Sequence, residues 1–423
     1  MSDNHRHARA YLEQILAGQS METLAARLAP KTSPPAARPH CSIHVRPEEA
    51  VERLDRLGLS KESRDALGDV GGIPVETYEG HIENFIGTVK APVGLAGPLR
   101  VNGVFAQGDY SVPLATTEAA LVASYHRGAL LITESGGCTA LLLSEGISRA
   151  PGFAFRDLPD AGRFVAWALT QMDAFRIQAE STTRHGKLEE MNVTVEGNHV
   201  YLNFEFTTGD ASGQNMVTLA IEAICRQIEE TSPVKPVYHF VEANLSGDKK
   251  ASAQSFLTVR GKKGTAEATL PAELVQKRLH TTPERMVDYW RMSALGGVMS
   301  GTLGVQGHYA NGLAAVYIAC GQDAACVAES AVGVTRLEVT GAGALYAAVT
   351  LPNLVVGTVG GGTELPSQRA CLEIMGLAGP GNARAFAEVC AGLAMAGELS
   401  IIGAMASGEF ARAHRRLARG RDA

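Results

Sequence analysis

The sequence predicts an α+β fold of two or three domains, and three features carry that expectation. The chain has 423 residues, enough for several domains around a large core. Residues 191–195 and 200–206 alternate apolar and polar side chains across the turn Glu196, Gly197 and Asn198, the pattern of an antiparallel hairpin; residues 164–175 and 216–228 repeat apolar side chains at helical spacing. No GxGxxG or P-loop fingerprint marks a parallel nucleotide-binding sheet, so any nucleotide would bind on a mixed module.

Composition narrows the function classes. With 45% hydrophobic and 19% charged residues the chain reads as soluble and globular, and a net charge of −6 argues against nucleic acid as a partner. The N-terminus is polar, without the apolar core of a signal peptide, and no uninterrupted apolar run is long enough for a bilayer. The 7 cysteines are scattered without a CxxC pair, which suits a reducing, cytoplasmic setting. His40, Cys41 and His44 lie close together in a Pro- and Ala-rich linker, but a fourth ligand is missing, so no metal site is expected.

In chain order, the first segment to about Glu79 reads as small helices, with Tyr11, Leu12, Ile15 and Leu16 on one face. Residues 83–98 form an extended, glycine-hinged path. Thr116 opens a helix through Leu121, Val122, Tyr125 and Leu130, with Glu118 in its first turn; Glu118 is either a partner of the helix dipole or a catalytic acid. Arg127 and Arg149 bracket this region as anion clamps or plain surface arginines. Residues 207–216 link a strand to a helix N-terminus, a natural anion site, and the helix should bury Met216, Leu219, Ala220, Ala223, Ile224 and Ile228.

The stretch EANLSGDKK, residues 242–250, stands out, with a strand-like run expected after it at 255–260. Two acids and two lysines crowd a short loop, either to hold a developing oxyanion or as an ordinary surface turn. Helices are expected at 274–280, 283–292 and 311–320, with a glycine-rich stretch at 296–307. Asp323 follows the last, nearly all-apolar helix; it either caps a turn or pairs with a lysine of that loop. Strands are expected at 336–340 and 345–350. GTVGGGT at 357–363 implies close approach of backbone to a phosphate, a nicotinamide or a neighbouring helix. A last helix at 393–413 leads to His414, a dipole partner or a proton donor on a closing segment, and to Arg412, Arg415, Arg416 and Arg419.

Taken together the chain from about Glu83 onward resembles hydroxymethylglutaryl-CoA (HMG-CoA) reductase, in the branch shared by eukaryotes and archaea. The resemblance rests on an ordered set: ENFIG at 83–87, PVGLAGPL at 92–99, TTE at 116–118, GDASGQNM at 209–216, DKK at 248–250, ACGQD at 319–323, GTVGGGT at 357–363 and AGELS at 396–400. It implies a helical N-terminal segment (1–80), a large CoA- and substrate-binding domain (81–150 and 252–423), an inserted ferredoxin-like NADP-binding domain (151–241) and a catalytic lysine loop (242–251). It implies four catalytic residues, Glu118, Lys249, Asp323 and His414, and active sites between subunits of a homodimer or larger homo-oligomer. NADPH is the implied cofactor, met by Thr183, Arg184, Asp210, Ser212, Gly213, Gln214, Asn215, Gly360 and Gly361. The implied substrate contacts are Arg127, Arg149, Glu242, Asp248, Lys250, Arg291, Met292, His308 and Asn311.

The chain departs from that pattern in places. Glu242 stands where the family has Ser, Met292 where a Lys is read, and Ser212 and Gln214 where methionines are usual. A glutamate facing the distal carboxylate of HMG would repel it, so a different acyl-CoA thioester is the alternative substrate. A non-catalytic CoA- or nucleotide-binding protein is the reading from another class, opposed by the four retained catalytic types.

Overall fold

A computed structural model describes residues 18, 20–28, 42, 44–57, 59–258 and 260–408. The chain divides into two compact units, to Thr88 and from Val89. In the first, α1 (Met21–Leu28) precedes α2 (Pro47–Arg56) and α3 (Lys61–Gly68). Pro47 suits the first helical turn, where its missing N–H costs no hydrogen bond. Val45, Ala50 and Phe85 form a small core, and buried Arg53 donates to Phe85 O and to Glu49. His44 is paired with Glu79 at 2.7 Å. The helix expected around Tyr11 and the linker with His40 and Cys41 lie outside the described residues.

The second unit interleaves eleven strands with eleven helices among the described residues. The strands are β1 (Val93–Gly103), β2 (Gln107–Ala115), β3 (Cys138–Arg149), β4 (Gly152–Ala154), β5 (Lys187–Glu196), β6 (His199–Thr207), β7 (Tyr238–Phe240), β8 (Gly261–Leu270), β9 (Gly304–Val305), β10 (Gly333–Val339) and β11 (Leu345–Leu354). The helices are α4 (Leu121–Glu134), α5 (Leu158–Ala168), α6 (Met172–Glu180), α7 (Gln214–Thr231), α8 (Gln254–Leu257), α9 (Ala272–Leu279), α10 (Pro283–Ser300), α11 (Tyr309–Ala319), α12 (Val327–Ser330), α13 (Pro366–Ile374) and α14 (Ala383–Ser407). The main path runs β7-β4-β6-β3-β8-β11-β10-β9, with β1 beside β2 and β3, and β5 beside β6. β3 joins two halves: residues 139–146 pair with β8, and residues 147–149 with β6.

The β5–β6 hairpin forms as expected, and its half of the sheet buries Phe153, Phe155, Phe164, Phe175 and Phe204 against α5 and α6. The single helix read over 164–175 is two helices, because α5 ends at Ala168 and α6 restarts at Met172. α7 buries Val217, Ala220, Ile221, Ile224, Cys225 and Ile228, whereas Leu219 is exposed, so the core face is rotated from the expected one. Residues 254–257 are helical rather than extended, and the strand starts at Gly261. α10 continues through two glycines to Ser300 and stops at left-handed Gly301.

α14 begins ten residues before Leu393 and is the centre of the core. By length and composition it is long enough to cross a membrane although no uninterrupted apolar run in it is, and 89% of that window is buried inside the protein. Two carboxylates interrupt it, each satisfied by backbone amides. Glu388 accepts from Val104, Phe105 and Ala106 in the β1–β2 turn, at 3.2, 2.8 and 2.7 Å. Glu398 accepts from Gly307 N at 2.8 Å, His308 N at 2.9 Å and Thr335 Oγ1 at 2.7 Å. α4 crosses α14 so closely that a side chain at Gly128 would collide with Ala396 O, which explains a glycine in mid-helix.

Candidate active site

The loop after β7 is held by its own acids. Glu242 accepts from Asn244 N at 2.7 Å, Ser246 Oγ at 2.9 Å and Ala150 N at 3.2 Å. Asp248 bridges Arg149, at 2.8 Å, and Arg260. Arg260 is 1% exposed; it donates to Ser148 O at 2.6 Å and forms an ion pair at 2.7 Å with Glu329, which is fully buried. Glu329 in turn accepts from Lys249 N at 3.1 Å. The loop thus turns through left-handed conformations at Asn244, Gly247 and Lys249 over a network of buried and half-buried ion pairs.

Lys249 Nζ lies 2.8 Å from Asp323 Oδ2, with the two side chains 42% and 38% exposed. The other Asp323 oxygen accepts from Ala325 N at 3.0 Å. Both readings of Asp323 therefore hold: it caps a turn and it pairs with a lysine. Its hydrogen bond raises the Lys249 pKa above the ordinary lysine value, opposed by desolvation. Burial pushes the Asp323 carboxyl upward, but the Lys249 hydrogen bond and the Ala325 amide outweigh it, and the net shift is downward. Lys250 is exposed and donates to Asp248 O at 2.9 Å.

This pair sits at a cleft of about 430 Å3 walled by residues 211–216, 321–323 and 357–363. The glycines of the third wall divide into two kinds. A side chain on Gly357 would lie 2.7 Å from Ser212 N, and one on Gly362 would lie 2.6 Å from Gly321 O, so these two are needed where loop meets loop. Gly360 and Gly361 are left-handed with open space beside them. Ser212, Gly213, Gln214 and Asn215 line the cleft where α7 begins, and no side chain caps that N-terminus. Asp210 is committed to Gly381 N at 2.7 Å and Ala383 N at 3.1 Å. Thr183 Oγ1 contacts Met216 Sδ at 2.7 Å, while Arg184 is exposed.

A second cavity, also of about 430 Å3, holds Glu118, Arg127, His308 and Asn311. Glu118 precedes α4 rather than lying in its first turn: the chain passes through a left-handed Ala120 first, and Glu118 N donates to Thr116 Oγ1 at 3.0 Å. Arg127 reaches Ser400 Oγ and O at 2.9 Å, and His308 Nε2 contacts Gly397 O at 2.9 Å. The two cavities share no lining residue. Arg291 and Met292 lie on an exposed stretch of α10, Arg291 paired with Asp288 at 3.6 Å and Met292 76% exposed. His414 lies outside the described residues. Arg260, Glu329 and Glu398 are the organising residues that sequence reasoning missed; a lone charge beside apolar neighbours carries no local signal of its buried partner.

A cleft walled by glycine backbone and an uncapped helix N-terminus, with a charged lysine fixed at its rim, is an enzyme site suited to a phosphate-bearing ligand and a polarised carbonyl. Comparison with known proteins gives the family. The sequence profile described as hydroxymethylglutaryl-coenzyme A reductase matches residues 47–419. The 3-hydroxy-3-methylglutaryl-coenzyme A reductase of Pyrococcus horikoshii is 46% identical over 377 residues, covering 86% of this chain and 91% of that protein. That of Haloferax volcanii is 41% identical over 406 residues, covering 94% and 100%. The chain belongs to the hydroxymethylglutaryl-coenzyme A reductase family. The class II reductase of Streptococcus pneumoniae, solved with NADPH in open conformations, shares the fold at a TM-score of 0.64 and 19% identity, covering 85% of this chain and 96% of that one.

Proposed function

We propose that the protein reduces the thioester of HMG-CoA to mevalonate and free CoA with two equivalents of NADPH. The observation that carries this is the Lys249–Asp323 pair at 2.8 Å on the rim of the glycine-walled cleft. The cleft suits the cofactor: the free amides at the start of α7 and the open backbone of Gly360 and Gly361 favour a diphosphate, with Thr183 and Arg184 adjoining through Met216. NADPH would supply the two hydrides.

The residues divide the remaining work. Lys249, kept cationic by Asp323, stabilises the oxyanion as the thioester carbonyl is reduced. The hemithioacetal then breaks its C–S bond and CoA leaves as a thiolate, which His414 protonates. Glu118 gives a proton to the aldehyde oxygen in the second reduction. Glu118 and Lys249 occupy cavities without a common residue, which favours a homodimer in which one chain's Glu118 faces its partner's lysine loop. The 1–80, 151–241 and 242–251 divisions remain part of this proposal, as does a cytoplasmic location.

The alternative of another acyl group rested on Glu242 repelling a substrate carboxylate and on Met292 in place of a lysine that would hold it; Met292 lies exposed on α10. The Glu242 oxygens are turned onto two donors of its own loop and onto Ala150 N, and one of them stands 3.7 Å from Arg149, so that geometry does not favour repulsion. The test is NADPH oxidation with HMG-CoA while free thiol is titrated. Two NADPH per thiol is the expected result; no turnover with HMG-CoA but turnover with another acyl-CoA would overturn the substrate assignment.

A further inference from the structure

The described chain contains a fully buried acid with no place in the chemistry above. Glu329 is 0% exposed and sits 2.7 Å from Arg260, itself 1% exposed. Burying such a pair is costly unless it fixes something. One Glu329 oxygen faces Arg260, and the other accepts the backbone N–H of Lys249 at 3.1 Å. Lys249 is one of the described non-glycine residues with positive φ, at 56°, a conformation that a lysine adopts only when its surroundings impose it. In the same guanidinium, Nη2 meets Asp248 and lies 3.4 Å from Gln214 Oε1 on the cofactor wall. Gln214 Nε2 contacts Cys326 Sγ at 3.0 Å, in the turn that Asp323 caps. Four segments that bear on the lysine thus converge on one buried ion pair.

We infer that Glu329 is a positioning residue for Lys249: carried on Arg260, its carboxylate holds the left-handed backbone that aims the ammonium at Asp323, and Gln214 ties the same anchor to the cofactor wall. The inference rests on Lys249 being the oxyanion lysine. It adds that the lysine's direction is set from beneath, through its own main chain, and not by the Asp323 contact alone.

The experiment compares Glu329→Ala and Glu329→Gln with the parent protein by three readouts. Steady-state kinetics with HMG-CoA and NADPH should show kcat lower by about ten- to a hundredfold in Glu329→Ala, as expected for a misplaced catalytic group. KM for both substrates should stay within about threefold, since Glu329 is fully buried and lines neither cavity. Glu329→Gln keeps an acceptor for Lys249 N and should recover most of kcat. Trace acetylation of Lys249 with acetic anhydride across pH, read by peptide mass spectrometry, reports the lysine without any substrate. Its half-point should move to lower pH in Glu329→Ala, because a misaimed ammonium loses the Asp323 hydrogen bond, and should hold in Glu329→Gln.

An unchanged labelling curve in folded Glu329→Ala overturns the inference, as does a loss of NADPH binding equal to the loss of kcat. If the parent protein fails to reduce HMG-CoA, the proposed function falls, while the labelling curves still decide the positioning role. If Glu329→Ala does not fold, as a thermal melt would reveal, Glu329→Gln decides alone: an unmoved Lys249 curve supports the acceptor role, and a moved one overturns it.

Discussion

The two cavities are equal in volume, at about 430 Å3, and built from different materials. The Lys249 cleft is walled by loops and much of its lining is glycine backbone. The Glu118 cavity is lined by α4, α11 and α14 together with the short segments that lead into α4 and α11, which carry Glu118 and His308. Each has a buried carboxylate that accepts a main-chain N–H of a candidate site residue: Glu329 for Lys249, Glu398 for His308. Their surroundings differ. Glu398 is satisfied by neutral donors at Gly307, His308 and Thr335, whereas Glu329 also faces a guanidinium. Neutral amides can pin one loop to a helix. A guanidinium has five donors and a fixed plane, so through Arg260 a single acid is coupled to several segments at once.

The largest expected effect sharpens this comparison on the loop-built side. Lys249→Met should lower kcat by about a hundred- to a thousandfold, the loss found when one oxyanion donor is removed. NADPH affinity, measured by fluorescence titration, should change little, because the cofactor wall is held by other residues. Retention of more than a tenth of the activity would mean that Lys249 is not the oxyanion partner. On the helix-built side the leading effect is on stability. Glu398→Ala removes the acceptor of two part-buried amides, each costing ~1–3 kcal/mol if left unmet, and of the Thr335 hydroxyl, which keeps the Tyr309 hydroxyl at 2.7 Å; the adjoining cavity admits water to offset part of the loss. A loss of about 2–4 kcal/mol in urea unfolding is expected; a loss below ~1 kcal/mol would show that the loop at 306–308 is held by other contacts.

These two sides were not equally legible in the sequence. The hairpin at β5–β6, the loop at 242–250 and the position of Asp323 could be read, because turn residues, alternation and charge spacing are local signals. The true starts of α4 and α14 could not. Ala120 has a left-handed conformation that its sequence neighbours do not require, and the residues from Ala383 are buried almost all round, Arg384 apart, so no clear periodicity marks where the helix begins. Glu329 and Arg260 are 69 positions apart in the chain, and only the fold makes them a pair. Nor does the sequence show that, within one chain, Glu118 lines one cavity and Lys249 and Asp323 another, while Arg291 and Met292 line neither.

Asp323→Asn probes how the exposed half of the loop-built site is tuned. In the role proposed for it Lys249 must be charged, so the rate should hold below its pKa and fall as pH rises through it. Asp323 raises that pKa, first through its hydrogen bond, so removing the charge should bring the alkaline limb of the kcat profile to lower pH. The stability side has the opposite bounds for the two partners. The raised lysine contributes below its ordinary pKa and loses this as pH rises; the lowered aspartate contributes above its ordinary pKa and loses this as pH falls. The pair's effect on unfolding should therefore be seen only between those limits, and be small, since both groups are more than a third exposed. An alkaline limb that stays in place would assign the titration to another group.

The smallest effect expected separates a structural from a repulsive Glu242. Its carboxylate accepts two main-chain N–H groups and the Ser246 hydroxyl, and it lies 3.7 Å from Arg149. Glu242→Ser shortens the side chain and gives up these bonds, though the site is partly open and water replaces some of them. Stability should fall by about 1 kcal/mol, and kcat/KM for HMG-CoA by about threefold as the loop loosens. Repulsion of a substrate carboxylate predicts the reverse sign, a gain in kcat/KM when the negative charge is removed. The sign of the change in kcat/KM therefore decides whether this glutamate is a brace of the lysine loop or a mark of a different substrate.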